Sequence, residues 1–467
     1  MKIKILFVAS EVTPLAKVGG LGDVVGALPK ALSKLGVDVR IITGYYGTHD
    51  EKTYPTSVIG KIFVPWNSEP LPAKIRKTVI PKSRVPVYLI DQPQVVSTGG
   101  IYDSPTAIAG SEAEVERFLF ISKAAVLLPE IIKFKPDVWH LHDWHAAPVT
   151  LFLKPPHAPT LLTIHNLANQ GWASSATIAR AGLSVSGAKN FNLFRAGLEK
   201  ADYLSTVSPT YAKEIQSAPG GEGLEDILRR RRQELTGIVN GIDTQVFNPA
   251  TDRCIARRYD ARHLERKFLN TTALRRLGGL DDIPGPVFGI VSRFTNQKGV
   301  DILSQAIEPF IKSKRLQFVF LGQGEKSLED LCLGLAKLYP KFCFGKIGFD
   351  AVLAQKIYAG SDFFLMPSRF EPCGLGQLIA MRYGTIPIVR ATGGLKDTVV
   401  DIAQLGGTGL VFNDFSAAAL SNAIDRALAL YGNRAKLKTV RRRAMRHDFS
   451  WEASAKEYLK LYKHLMK

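Results

Sequence analysis

Short apolar runs alternate with stretches of helical periodicity along almost the whole chain. The runs are nearly continuous in Val, Ile and Leu, a pattern typical of strands that helices cover on both faces. This pattern predicts an α/β fold with doubly wound parallel sheets of the Rossmann type. The first series of strands is expected at residues 3–9, 37–43, 85–90, 137–141, 160–164, 203–207 and 237–239.

The same pattern begins again in the second half of the chain, after Asn-Gly and Asn-Pro dipeptides that mark turns near residues 240–251. We therefore predict two Rossmann-like domains, 1–245 and 246–448, followed by a last helix within 449–467 that could pack on either of them. Two such domains are expected to face a central cleft, the usual ligand site of this architecture. The second series of strands is expected at residues 287–291, 316–321, 341–346, 362–366, 386–389 and 409–412.

Composition narrows the class of protein. Of the 467 residues, 46% are apolar and 22% are charged, which excludes a wholly disordered chain. The four cysteines have no CxxC spacing, so neither a disulfide framework nor a zinc site is expected, and a reducing, cytoplasmic location fits best. The first apolar run is too short for a signal peptide, and no run approaches the ~18 apolar residues of a membrane span.

Charge is the outlier, because 61 Lys and Arg stand against 42 Asp and Glu, a formal net charge of +19. This excess raises nucleic acid, anionic membranes and anionic small molecules as partners. The densest basic segments are arginine runs at 229–232 and 441–443, for which a solvated helix face is the simplest interpretation. No zinc finger, aromatic RNA-binding motif or basic zipper accompanies them, so the charge alone does not indicate nucleic-acid binding.

The first strand is followed by a glycine-rich turn, Lys17-Val-Gly-Gly-Leu-Gly, which opens a helix. Such a turn offers free backbone N–H groups and a helix dipole to an anion. It is not the dinucleotide fingerprint, because the third glycine is replaced by Val25 and the loop is too long. Lys17 beside the glycines instead suits a phosphate.

Histidines and acids follow two later strands of the first half. The segment from Trp139 to His145 has three histidines and Asp143, yet no fourth ligand for a metal is evident, and hydroxyl recognition by Asp143 and His145 is the preferred interpretation. His165, beside Asn166, repeats the pattern after the next strand, where an imidazole is well placed to act on a ligand.

The second half has its own anion-friendly turns. Arg293 and Lys298 follow a strand and precede a helix, and together they offer a planar fork and a point charge to a diphosphate. Glu371, a few residues before Gly374, could reach sugar hydroxyls, and a third turn contains Gly393.

These motifs, taken in order, resemble those of bacterial glycogen synthases and plant-type starch synthases, which are retaining α-1,4-glucosyltransferases of the two-domain GT-B architecture. The resemblance extends over essentially the whole chain. The motifs that carry it are Lys17-Val-Gly-Gly-Leu-Gly, His142-Asp-Trp-His, Thr163-Ile-His-Asn-Leu, Val239-Asn-Gly-Ile-Asp243, Ser292-Arg-Phe with Gln297-Lys-Gly, Ser368-Arg-Phe-Glu-Pro-Cys-Gly-Leu and Thr392-Gly-Gly-Leu-Lys-Asp397.

The resemblance implies transfer of glucose from ADP-glucose to the non-reducing end of an α-1,4-glucan. No metal or other cofactor is expected, because the cationic side chains can neutralise the diphosphate. Tyr358 is implied to stack on or flank the adenine. The implied roles are catalytic for His165, Asp143, Glu371, Lys298 and Arg293, donor-binding for Lys17, Gly19, Gly20, Asp23, Asn240, Arg293, Lys298, Tyr358, Cys373, Gly374, Leu375 and Gly376, and acceptor-side for Tyr102 and His145.

Three positions depart from the family pattern. Gly376 stands where Thr or Asn is frequent, Glu114 replaces an expected Asn, and Ile379 removes the second glutamate found in other retaining glycosyltransferases. The last departure argues against a two-carboxylate mechanism and for transfer on the front face of the sugar.

Two other functions stay open from the sequence. One is a two-domain glycosyltransferase with another donor or acceptor, such as UDP-glucose or a sucrose-, trehalose- or lipid-directed enzyme. The other is a non-catalytic module that binds glucan or nucleic acid through its positive charge, for which salt-sensitive DNA binding without sugar transfer would be the sign.

Overall fold

The computed structural model describes residues 2–103, 111–184 and 190–467. It divides into two compact units, the first formed by Met1–Gly241 with Trp451–Lys467 and the second by Ile242–Ser450. The boundaries predicted from the sequence lie at residues 245 and 448. Each unit is built around its own sheet and is described by itself.

A nine-stranded sheet forms the centre of unit 1, with strand order β11-β10-β7-β6-β1-β2-β5-β4-β3. Seven of these strands pair in parallel, and β4 runs antiparallel to both β5 and β3. A separate antiparallel pair, β8 and β9, lies outside this sheet. The strands are β1 (Lys4–Val8), β2 (Asp38–Gly44), β3 (Ser57–Trp66), β4 (Glu69–Val79), β5 (Pro86–Asp91), β6 (Val138–His142), β7 (Thr160–Ile164), β8 (Trp172–Ser174), β9 (Asn190–Asn192), β10 (Tyr203–Thr206) and β11 (Leu235–Gly237).

The antiparallel hairpin β3–β4 was not among the predicted strands. Exposed and buried residues alternate along both strands, with lysines on the solvent face, because the hairpin forms the outer edge of the sheet and only one face is covered. Its turn is closed by Asn67, which has a left-handed φ of 54° that asparagine tolerates.

Helices connect the parallel strands of unit 1 and bury their apolar faces on the sheet. Several begin at a side-chain cap, such as Ser111, which accepts the backbone N–H of Glu114. The helices are α1 (Gly20–Lys34), α2 (Glu112–Ile131), α3 (Asp143–Ala146), α4 (Val149–Phe152), α5 (Ser175–Arg180), α6 (Leu193–Lys200), α7 (Pro209–Glu214) and α8 (Glu225–Arg230).

Unit 2 contains a six-stranded, fully parallel sheet with strand order β14-β13-β12-β15-β16-β17. Numbered within the unit, this is the order 3-2-1-4-5-6 of the Rossmann fold. The strands are β12 (Val287–Phe294), β13 (Gln317–Gly324), β14 (Cys343–Ile347), β15 (Phe363–Met366), β16 (Ile386–Arg390) and β17 (Leu410–Phe412).

The strand order of unit 2 reverses between β12 and β15, so the chain leaves these neighbours toward opposite sides of the sheet. Folds with this strand order bind ligands in a crevice at the carboxyl ends of the two strands. Short 3-10 turns occur at Arg232–Glu234 in unit 1 and at Leu264–Arg266 and Asn296–Lys298 in unit 2. The helices of this unit are α9 (Lys267–Leu277), α10 (Val300–Lys312), α11 (Lys326–Leu338), α12 (Ala351–Gly360), α13 (Gly376–Arg382), α14 (Gly393–Thr398), α15 (Ala417–Gly432) and α16 (Arg434–Arg446).

The last helix, α17 (Trp451–Leu465), belongs to unit 1, where it packs against α1. Its buried face presents Trp451, Tyr458 and Tyr462 to the core of that unit. Lys34 of α1 forms an ion pair with Glu452 at 2.6 Å. Within the described residues, no helix is long and apolar enough to cross a membrane.

Candidate active site

The predicted diphosphate and sugar residues of unit 2 meet at its crevice. Lys298 follows β12 and Glu371 follows β15, and Nζ of Lys298 lies 2.6 Å from Oε2 of Glu371. The hydroxyl of Ser368 donates to the same oxygen at 3.0 Å. Because the side chains are only 16% and 6% exposed, the pair is held in a place where water screens it little.

A second turn closes on the Glu371 loop by direct backbone contact. The N–H of Gly394 donates to the carbonyl of Glu371 at 3.1 Å, and a Cβ at Gly393 would lie 1.9 Å from that oxygen. Gly393 also has a left-handed φ of 44°. Only glycine fits this approach, which explains why the turn after β16 contains Gly-Gly.

Arg293, at the end of β12, is exposed, and its guanidinium makes no hydrogen bond or ion pair with any residue in the described ranges. It is therefore available to an anion beside Lys298. The three remaining predicted donor contacts before α13 are buried Cys373, Gly374 with a φ of 73°, and half-buried Leu375.

Gly376 is explained by packing. A Cβ at this position would lie 2.9 Å from Cε1 of Phe364 and 3.3 Å from Sδ of Met366, both on β15. The ring of Phe364 thus occupies the space that a Thr or Asn side chain at residue 376 would need. In this chain, the ring of Phe364 on the preceding strand therefore limits the size of the residue at position 376.

The predicted contact between Tyr358 and adenine is not supported. Tyr358 lies on α12, is only 5% exposed, and packs in the core against Phe364, with ring centroids 4.9 Å apart. A different aromatic residue, Phe349, follows β14 at the carboxyl edge of the sheet and is 82% exposed. An uncovered ring at the ligand edge is a better candidate for base stacking. Its signal in the sequence is weak, since a single Phe after a strand is normally a core residue.

In unit 1, the glycine-rich turn is organised by a residue that sequence analysis missed. Glu11 is buried directly after β1, and its Oε2 accepts the backbone N–H groups of Val18 at 2.8 Å and Gly19 at 2.7 Å. The hydroxyl of Tyr102 donates to the other oxygen at 2.8 Å. Glu11 therefore shapes the Lys17–Gly20 loop and fixes Tyr102, whose predicted acceptor-side role depends on that position.

The other predicted residues of this loop lie at its surface. Nζ of Lys17 is 2.6 Å from Oδ1 of Asp23, and both side chains are more than a third exposed. Gly19 is half-buried and Gly20 is exposed. An anion bound at this loop would contact the ammonium group of Lys17, which Asp23 already holds in place.

Glu114, the second departure from the family pattern, supports the same region. It is buried on α2, and its carboxylate accepts the backbone N–H of Asp103 at 3.0 Å, next to Tyr102. Burial raises the pKa of Glu114.

Asp143 connects the ends of two neighbouring strands. It follows β6 with a left-handed φ of 56°, and its Oδ1 accepts the backbone N–H of His165, after β7, at 2.6 Å. Burial raises the pKa of Asp143 to about 7. The residue thus positions the His165 backbone and titrates in the physiological range.

His165 is half-buried, and burial lowers its pKa to about 3, so the ring is neutral at neutral pH. Its Nε2 lies 3.0 Å from Nδ1 of His142. His145 is placed differently from the expectation, because its ring is buried against Tyr102, Phe118 and Trp144. The structure assigns His145 to packing behind Tyr102 and not to an open acceptor-side surface.

Asn240 lies near the end of unit 1, after β11. Its side chain is buried, and its Oδ1 has no hydrogen-bond partner in the described part of the chain. Among the described residues, no group of three or more His, Cys, Asp or Glu side chains is arranged to hold a metal ion.

Two family models match the chain. The starch synthase catalytic domain matches residues 4–230, and the glycosyl transferases group 1 model matches residues 285–429. The first match covers the Glu11, Asp143 and His165 region, and the second covers Lys298 and Glu371.

Individual relatives match over almost their whole length. Glycogen synthases of Kosmotoga olearia and Moorella thermoacetica are each 42% identical over 99% of this chain, which covers 98% and 96% of their lengths. The glycogen synthase of Lacticaseibacillus casei is 40% identical, with 99% of both chains covered.

Two solved structures extend this comparison. The catalytic domain of starch synthase IV from Arabidopsis thaliana, bound to ADP and acarbose, superposes with a TM-score of 0.90 at 32% identity, covering 100% of both chains. Sucrose-phosphate synthase from Thermosynechococcus elongatus superposes with a TM-score of 0.64 at 20% identity and 99% coverage of both, which shows a shared fold only.

Proposed function

Because the chain belongs to the glycogen and starch synthase family, it is a glycosyltransferase that elongates a glucan with glucose from a nucleotide sugar, and we propose that its donor is ADP-glucose. The observation that carries this choice is the similarity to starch synthase IV, whose structure contains ADP. The exposed ring of Phe349 offers a stacking surface to the base.

The diphosphate is proposed to be bound by cationic side chains. Cleavage of the bond between sugar and phosphate leaves negative charge on the diphosphate, and preorganised cations stabilise that charge as it develops. Arg293 has no competing partner among the described residues, and Lys298 is held beside it on the same strand-to-helix connection. These two cations balance the charge of the leaving group without a metal, so chelation by EDTA is expected to leave the rate unchanged.

The transferred glucose is proposed to contact Glu371 and His165. The carboxylate of Glu371 is paired with Lys298 and accepts hydrogen bonds from sugar hydroxyls. His165, neutral and anchored through its backbone to Asp143, orients the sugar. In this role Glu371 binds the sugar hydroxyls. It does not need to attack the sugar as a nucleophile, as the carboxylate of a retaining glycosidase does.

Front-face transfer with retained configuration follows from this assignment. In that route the acceptor hydroxyl approaches on the side from which the diphosphate departs, and the departing phosphate accepts its proton. The product linkage is expected to be α, which the anomeric proton signal of the extended oligosaccharide reports directly.

The test is a comparison of initial rates with ADP-glucose and UDP-glucose on a maltooligosaccharide acceptor, with the products sized. We expect a ladder of products extended one glucose at a time and a higher kcat/KM with ADP-glucose. Faster transfer from UDP-glucose would overturn the donor assignment, and transfer only to a non-glucan acceptor would overturn the acceptor assignment.

A further inference from the structure

Three histidine rings lie side by side within unit 1. His140 and His142 both project from β6, with ring centroids 4.2 Å apart, and His165 after β7 lies 5.2 Å from His142. His140 and His142 are fully buried. Burial lowers the pKa of all three rings, so each is neutral at neutral pH and carries one ring proton.

The bond between His142 and His165 restricts where these protons can be. Nδ1 of His142 lies 3.0 Å from Nε2 of His165, so one of these atoms donates and the other accepts. The other nitrogen of His142, Nε2, is buried and has no hydrogen-bond partner within the described ranges. A proton on that atom would leave a buried N–H unsatisfied, which folded proteins rarely tolerate.

The proton of His142 is therefore on Nδ1, and it is donated to Nε2 of His165. Since His165 is also neutral, its single proton must be on Nδ1. That atom makes no hydrogen bond with any residue the structure describes, and the side chain is only half-buried. His165 thus keeps a free N–H donor on the side away from His142.

We propose that His142 is a positioning residue that fixes His165 as the Nδ1–H tautomer, so that His165 presents a hydrogen-bond donor to a hydroxyl oxygen of the transferred sugar. This role rests on the proposed glucosyl transfer. The opposite tautomer would present a lone pair, which would accept a proton from a sugar hydroxyl instead of donating one to its oxygen.

His140 holds His142 in the required orientation. Nδ1 of His140 is 2.7 Å from the hydroxyl of Tyr462 on α17, and Nε2 is 2.6 Å from Oγ1 of Thr163. With both nitrogens bonded the His140 ring cannot rotate, and it packs with Phe7 against the His142 ring. The last helix is in this way connected to the His165 site through Tyr462.

The test reads the tautomer directly. In the full-length protein with ¹⁵N-labelled histidines, long-range ¹H–¹⁵N correlation spectra distinguish a protonated Nδ1 from a protonated Nε2, and the His165→Asn variant identifies the His165 signals. We expect a protonated Nδ1 in the wild-type protein and in His142→Asn, whose carboxamide N–H replaces the donor. His142→Leu should give a mixture of tautomers, whereas His145→Leu, which removes another buried imidazole, should not.

Activity provides the second readout. In His142→Leu we expect kcat to fall about 10- to 100-fold, the range found when outer hydrogen-bond partners of metal-bound histidines are removed, with most of this loss recovered in His142→Asn. Tyr462→Phe should give a smaller loss of kcat in the same direction.

A protonated Nε2 on His165 in the wild-type protein would overturn the proposal, and so would a His142→Leu variant with wild-type tautomer and kcat. If His142→Leu does not fold, the wild-type spectrum and the His142→Asn variant still decide. A wild-type protein that fails to use ADP-glucose would contradict the proposed donor, while the spectrum would continue to test His142.

Discussion

Nζ of Lys298 lies 2.6 Å from Oε2 of Glu371, and this pair is the centre of the candidate site in unit 2. Its formation follows from topology, since the two residues come from the strands on either side of the reversal in strand order. Each side chain compensates the charge of the other at a position that is largely shielded from water. Removing one of them therefore affects both stability and catalysis.

Replacing Lys298 by Ala is expected to lower kcat/KM at least about 100-fold, because a cation facing the leaving group is lost. It should also destabilise the fold by about 3–5 kcal/mol, because the buried carboxylate of Glu371 loses its partner. Steady-state rates and thermal melting measure the two effects. The control is Lys326→Ala, which breaks the exposed pair with Asp330 at 2.8 Å and should leave both unchanged. Equal behaviour of the two variants would contradict the assignment.

Phe349→Ala is expected to weaken binding of ADP by about 1–3 kcal/mol, the usual contribution of an aromatic ring that stacks on a base. The KM for ADP-glucose should rise, and kcat should change little. Titration of ADP by calorimetry measures the affinity directly. Phe268→Ala is the matched control, since Phe268 is 64% exposed on α9 of the same unit. An unchanged affinity for ADP in Phe349→Ala would contradict stacking of the base on Phe349.

Gly22→Ala tests the role of Glu11. The added Cβ would lie 2.9 Å from Oε2 of Glu11, the atom that accepts the N–H groups of the loop. We expect a lower melting temperature and a higher KM for the donor, because the loop must move. Gly334→Ala is the control, since nothing lies within 4 Å of the new Cβ on α11, and it should be neutral or stabilising by up to about 1 kcal/mol. A Gly22→Ala variant with the melting temperature and kinetics of the wild type would show that the carboxylate of Glu11 can move away from the added Cβ.

The parallel core strands could be predicted because burial on both faces leaves a direct mark, a continuous Val, Ile and Leu run. The β3–β4 hairpin has no such run. Its apolar residues alternate with lysines and other polar residues, a pattern that resembles a surface segment. The arginine run at 441–443 was interpreted from the sequence as a solvated helix face, and that interpretation was wrong. Arg441 forms a 2.5 Å ion pair with Asp362, and Arg443 donates to the carbonyl of Gly407, so the run attaches α16 to the unit instead of facing solvent.

The site was predictable where a motif keeps its residues close along the chain. Lys298, Glu371, Asp143 and His165 were all predicted as site residues from local motifs after strands. Glu11 was missed because its function is to accept backbone N–H groups of the next loop, and any acid after a strand has the same appearance in sequence. The predicted contact between Tyr358 and adenine was wrong because Tyr358 is buried. Exposure depends on how the chain packs, and a sequence motif does not contain that information.

Asp143→Asn tests the buried carboxyl. Burial raises the pKa of Asp143 to about 7, so between about pH 4 and pH 7 the folded state binds a proton that the unfolded state has lost. Stability from this group is therefore present at low pH and is lost as pH rises through 7, by a few kcal/mol at about 1.4 kcal/mol per pKa unit. Asn keeps an acceptor for the His165 N–H and tolerates the left-handed φ of 56°.

The melting temperature of Asp143→Asn, relative to wild type, should accordingly rise between pH 5 and pH 8. If the ionised carboxylate is needed for transfer, the limb of the kcat/KM profile near pH 7 should also disappear in the variant. A difference in melting temperature that is constant across this range would show that Asp143 has an ordinary pKa.

The coupling between Gly376 and Phe364 can be measured as a double-mutant cycle. Gly376→Thr places a Cβ 2.9 Å from the Phe364 ring and should cost about 1–3 kcal/mol by overpacking. Phe364→Val alone leaves a cavity next to the glycine and is also expected to destabilise. Combined, the threonine fills the space that the valine opens, so the double variant should be more stable than the sum of the single effects predicts. Thermal or denaturant unfolding of the four proteins gives this coupling energy. Strict additivity would mean that the ring does not determine which residue position 376 can hold.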